Sequence, residues 1–197
     1  AKRHEVRLLC LRGEREPPVD GILRRRCEEV LELPRPGGVR RSGGLNRRLI
    51  RYSRTLLSPF AGQPKWAWYC AVPALSNALR QRVASWQPDL VQMEYCVMGQ
   101  YEADLAGNPV PLVLNQYEPG AAAARDSLRS ARGTARAAAG FDWIAWERFE
   151  RRVIRRMSAV VALTDRDRET LQRLAPEVPI TTIPLGSELP EHPLDPA

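Results

Sequence analysis

Short apolar runs alternate with longer stretches of helical period along this chain, and that alternation confines it to one broad class of fold. "VRLLCL" at 6–11, "EVLEL" at 29–33, "DLVQM" at 89–93, "PVPLVL" at 109–114, "AVVAL" at 159–163 and "ITTIP" at 180–184 read as buried strands. Between them, Leu45, Leu49, Tyr52 and Leu56 recur at helical spacing until Pro59. Leu75, Leu79, Val83 and Trp86 do the same until Pro88. A helix-like segment runs through Tyr101 and Leu105, and "DRDRETLQRL" reads as a short helix. The clearest amphipathic pattern is "DWIAWERFERRVIRRM", with Trp143, Trp146, Phe149, Val153 and Met157 on one side; its arginines, offset in part by Glu147 and Glu150, crowd the polar side. Residues 120–141, rich in Ala, Gly and Arg, fit either a helix or a mobile loop. Strands alternating with helices give an α/β expectation: a Rossmann-like, doubly wound, mainly parallel sheet with helices on both faces.

Composition agrees with a globular domain of that size. The chain has 197 residues, 44% hydrophobic and 27% charged, enough for one domain with a real core. No run of about 18 apolar residues is present to span a membrane. No signal-peptide pattern opens the sequence, so a cytoplasmic location is expected. Cys10, Cys27, Cys70 and Cys96 are scattered, with only His4 and His192 beside them, and read as reduced structural thiols rather than a zinc site or disulfide framework.

In an open α/β sheet, ligands bind beyond the carboxyl ends of the strands. That rule selects Arg12-Gly13, Glu94-Tyr95, Asn115-Gln116-Tyr117-Glu118, Thr164-Asp165-Arg166 and Leu185-Gly186. Carboxylates, amides and phenols suit a polyhydroxylated ligand, and arginine suits phosphate. The substrate-binding candidates are therefore Glu94, Tyr95, Asn115, Gln116, Tyr117, Glu118, Thr164, Arg166 and Gly186. The competing explanation for Glu94 and Glu118 is that each caps the helix after it. No G-x-S-x-G, H-E-x-x-H, P-loop or G-x-G-x-x-G pattern occurs, and the catalytic residues stay unassigned.

The net charge of +7 is carried almost wholly by arginine. Arg40, Arg41, Arg47, Arg48, Arg51 and Arg54 lie opposite the Leu stripe of 44–58, followed by Phe60, Trp66, Trp68 and Tyr69. A basic amphipathic helix beside aromatics fits peripheral contact with an anionic membrane, through Arg47, Arg48, Arg51 and Arg54, or an ordinary packed surface helix. Nucleic acid is disfavoured, because no binding motif or interleaved stacking pattern accompanies the arginines.

The order of four segments, "HEVRLLCL", "QPDLVQMEYCVMGQYEADLAGNPVPLVLNQYEPG", "RFERRVIRRMSAVVALTDRDRETLQRLAP" and "VPITTIPLGSELPEHPLDP", resembles the N-terminal domain of GT-B-fold, family-4-like glycosyltransferases. The likeness spans nearly the whole chain and is weakest at 12–65. It implies an acceptor-side Rossmann-like domain over 1–188 and the start of an interdomain linker over 189–197. It also implies a strand, glycine loop and helix before residue 1 and a donor domain after the linker, so that this half alone is expected to be inactive. The implied activity is a retaining, hexosyltransferase-type transfer from a nucleotide-diphosphate sugar to a glycan or lipid-linked acceptor, with no metal or other cofactor. Two features depart from the family pattern: Tyr117 stands where relatives often carry histidine, and "KRHEV" lacks the usual glycine. The alternatives are a GT-B nucleotide-sugar epimerase, which needs a histidine this segment lacks, and a non-catalytic remnant or binding module.

Overall fold

The computed structural model of the protein describes residues 3–35 and 61–186. The basic stripe with Arg47, Arg48, Arg51 and Arg54, and the linker from 189, lie outside the described residues.

Among the described residues six strands form, each within or next to an apolar run: β1 (Arg7–Arg12), β2 (Glu29–Pro34), β3 (Val91–Glu94), β4 (Leu112–Gln116), β5 (Ala159–Ala162) and β6 (Ile180–Thr182). All pairings are parallel. They fall into two sheets, β1–β2 and β3–β4–β5–β6 in that order, rather than the single sheet expected. Helices cover both sides.

The connections explain the parallel pairing, since each strand returns through a helical crossover. α1 (Gly21–Arg26) joins β1 to β2, its first turn capped by Asp20, whose carboxylate accepts the Ile22 N–H at 2.6 Å. α2 (Lys65–Tyr69) and α3 (Pro73–Trp86) precede β3. α3 buries Leu75, Ala78 and Val83 and stops at Gln87, which takes the left-handed conformation before Pro88. Arg82 of α3 donates to Glu29 of β2 from Nη2 at 2.6 Å and Nε at 3.1 Å, and Arg7 of β1 stacks over the Trp86 ring at 4.6 Å. These contacts dock the two-stranded sheet on α3.

The segment through Tyr101 is a 3-10 helix, Met98–Leu105. It presses so closely on α5 (Gly133–Ile154) that a Cβ on Gly99 would sit 2.3 Å from Val153 Cγ1. Residues 120–141 resolve as helix: α4 (Gly120–Ser130), a break, then the start of α5. α6 (Asp165–Leu174) links β5 to β6. One apolar core joins α2, α3, β3, the 3-10 helix, β4, α4, α5, β5 and α6, with Leu114, Phe149, Val153, Ile154, Val160 and Leu171 fully covered. All four cysteines are free thiols. Among the described residues no helix is long and apolar enough to cross a membrane.

Candidate functional site at the ends of β3 and β4

Strand periodicity builds the first cluster. Side chains alternate between faces, and Glu94 of β3 stands in register with Asn115 of β4, so the two emerge side by side. Gln92 and Tyr117 lie two residues away along their own strands, on the same face. Glu94 gathers all three. Asn115 Nδ2 donates to Glu94 Oε2 at 3.0 Å, the Tyr117 hydroxyl donates to the same oxygen at 2.8 Å, and Gln92 Nε2 donates to Oε1. Glu94 is therefore held by side chains of two strands and not spent on capping. The hydrogen bond to Glu94 raises the Tyr117 pKa above the usual phenol value, which keeps the hydroxyl protonated near neutrality.

Tyr95 leaves the strand with φ 73°, the left-handed region that a bulky side chain rarely occupies. That turn carries its ring to Tyr117, 6.2 Å between centroids and 23° between planes, and to Trp66 of α2 at 4.7 Å. Trp66 in turn meets Trp146 edge-on at 6.2 Å, and Trp146 meets Phe149 at 5.9 Å. A row of aromatic rings thus runs from the core to the surface. Its outer members stay open, Trp66 at 43% and Tyr117 at 40% exposure. Burial, followed by the charges of Glu118 and Glu150, raises the Tyr95 pKa, so this phenol also stays neutral.

Gln116 points to the opposite face and is fully buried. Its Oε1 accepts the Cys96 N–H at 2.8 Å, and its Nε2 donates to the Glu118 carbonyl at 2.7 Å and to Glu150 Oε1 at 2.9 Å. Every donor of its amide is engaged within the protein, and it braces the site from beneath. Glu150 is the hub of that brace. Also fully buried, it accepts the backbone N–H of Gly120 at 2.9 Å and of Ala121 at 3.1 Å, capping α4 from another helix. Pro119, at the cap position, supplies no side-chain bond. Burial pushes the Glu150 pKa up to about 7 against the pull of its three donors.

The other sequence candidates lie apart from this cluster. Thr164 caps α6: its Oγ1 accepts the Asp167 N–H at 3.1 Å and donates to Asp167 Oδ2 at 2.6 Å. Asp165 accepts the Thr182 hydroxyl at 2.7 Å, tying α6 to β6, and that bond lowers its pKa. Arg166 is exposed on the first turn of α6, and Gly186 is exposed with open space around it. No described hydrogen bond or ion pair joins these residues to Glu94. Arg12 and Gly13 line a cleft of about 620 Å³ with Glu32 and Arg35, where the charges are already paired: Arg12 and Arg24 with Glu32, Arg35 with Glu16.

Two residues of the site escaped the sequence reading. Trp66 was grouped with the aromatics of a membrane-facing helix, and only the fold brings it to Tyr95. Glu150 was placed among the polar residues of α5, whereas the structure buries it. Its spacing held a usable signal: position 150 lies four residues after Trp146 and three before Val153, on the apolar stripe.

Chemically, the Glu94 cluster offers carboxylate and phenol oxygens beside open aromatic rings. It can accept hydroxyl protons and pack against an apolar ring face. No curated protein matches the chain. A family model described as a glycosyl transferase 4-like domain matches residues 1–186. Its span includes both sheets and the whole Glu94 cluster, and this chain therefore belongs to the glycosyl transferase 4-like domain family.

Proposed function

We propose that this chain is the acceptor-binding domain of a retaining glycosyltransferase that moves a hexosyl unit from a nucleotide-diphosphate sugar to a glycan or lipid-linked acceptor. Family membership supports glycosyl transfer in general. The observation that carries the acceptor role is the Glu94–Asn115–Tyr117 cluster, which is organised, reachable and built of hydroxyl-binding groups. Glu94 and Glu118 place negative charge beside the rings of this cluster, which disfavours a diphosphate there and favours a neutral hydroxylated partner. The donor phosphates are then held away from the cluster, by cationic or N–H groups suited to them.

The test is an assay of the protein carrying this domain against a panel of nucleoside-diphosphate hexoses. Release of nucleoside diphosphate that requires an added acceptor supports the reading. Release that is absent for every donor, or independent of acceptor, removes it.

A further inference from the structure

We infer that the row Trp66–Tyr95–Tyr117, edged by Glu94, is the wall against which the ring of a neutral pyranoside lies, as the sugar of the acceptor nearest the point of transfer. This rests on the acceptor-domain reading above and narrows it to one ligand class.

Three observations converge. The rings form a connected row whose outer members are open, whereas isolated exposed aromatics are ordinary and carry no message. Tyr95 joins that row only by adopting a left-handed backbone, a strained state that persists where surrounding structure enforces it and clusters at functional sites. Behind the row, Trp146 backs Trp66 while resting on Gly120, where a Cβ would come within 2.4 Å of its ring. The wall is therefore seated on the core rather than free to collapse.

The chemistry of the row selects its ligand. A pyranose presents a C–H face carrying slight positive charge, which suits the negative face of an aromatic ring. Its rim of hydroxyls needs acceptors, which the Glu94 carboxylate and the Tyr117 oxygen provide at the edge of the row. A phosphate headgroup would meet Glu94 and Glu118 and be repelled. An acyl chain would strip Glu94 and Tyr117 of water without replacing its hydrogen bonds. A cationic ligand satisfies rings and carboxylates alike, so the test includes one.

The experiment titrates the whole protein with methyl pyranosides of gluco, manno and galacto configuration. Binding is followed by saturation-transfer NMR and tryptophan emission, with glycerol 1-phosphate and choline as comparison ligands. At least one pyranoside should bind, and both Trp66→Leu and Glu94→Gln should weaken it by about five- to tenfold, the size of one lost ring or charge-assisted contact. Arg129→Ala, on the exposed side of α4, should leave it unchanged. Trp66 is partly exposed and Glu94→Gln is isosteric, so agreement between the two variants guards against a folding artefact. Pyranoside binding that ignores both variants overturns the inference, as does the absence of any pyranoside binding. Tighter binding of choline or glycerol 1-phosphate at the row overturns it too. Acceptor-dependent transfer by the same preparation without binding at this row sinks the inference alone; binding at the row without transfer to any acceptor sinks the glycosyltransferase reading and, with it, the acceptor role of the row, leaving a pyranoside-binding wall.

Discussion

Glu150 accepts the backbone N–H of Gly120 at 2.9 Å across thirty residues of sequence, and so caps one helix from the middle of another. The bond fixes where β4 ends and α4 begins, and with them the positions of Tyr117 and Glu118.

The pH dependence of that bond follows from burial. Burial pushes the pKa of the folded Glu150 carboxyl up to about 7, against an ordinary value of 4.5 in the unfolded chain, so between those values the native state binds the extra proton. Stability from this group is greatest at low pH and falls as pH rises through that window. Glu150→Gln cannot accept all three N–H donors, because its amide nitrogen faces one of them, so it should be less stable than the wild type at pH 5. It should also lose the wild type's fall in stability between pH 5 and pH 8, which is on the order of 2 kcal/mol. Urea unfolding at the two pH values measures this. The groups with lowered pKa values, Glu16, Glu29 and Asp165, act below the window and do not obscure it. An unchanged pH slope in the variant would refute the assignment.

Gly120 is required for its lack of a side chain. An added Cβ would lie 2.4 Å from Trp146 Cε3 and Cζ3, in a fully packed region. Gly120→Ala should therefore destabilise the protein by about 1–3 kcal/mol, as overpacking does. Because Trp146 backs Trp66, the native tryptophan emission should shift as well. Equilibrium unfolding followed by fluorescence reads both effects.

Tyr101 staples the entry to α3. Its buried hydroxyl donates to the Cys70 carbonyl at 2.5 Å and accepts the Val72 N–H at 2.8 Å. Tyr101→Phe keeps the ring but orphans both backbone groups, and should cost about 1–3 kcal/mol. Chemical unfolding with an unchanged denaturant slope would confirm that only stability moved.

Much of the fold was legible because its strands are short apolar runs bounded by proline, as Pro34, Pro88 and Pro111 bound β2, β3 and β4. The rule that ligands meet strand ends likewise led to Glu94, Asn115 and Tyr117. The separation of β1–β2 from the other sheet was not legible, since pairing depends on non-local contacts such as Arg82 with Glu29. α1 went unread because it has six residues and buries none. The left-handed turn at Tyr95 carries no glycine or asparagine to announce it. Glu150 was misplaced because residue type was weighed above helical position, and a carboxylate with three neutral donors can sit where a leucine would.

The central claim, that the Glu94 cluster receives the acceptor, is tested most directly by steady-state kinetics of the protein carrying this domain, wild type against Glu94→Gln, with donor and acceptor varied separately. The account expects kcat/KM for acceptor to fall by about tenfold or more, as for loss of a charge-assisted hydrogen bond, with the donor KM unchanged. An unchanged acceptor kcat/KM, or a loss confined to the donor KM, would contradict it.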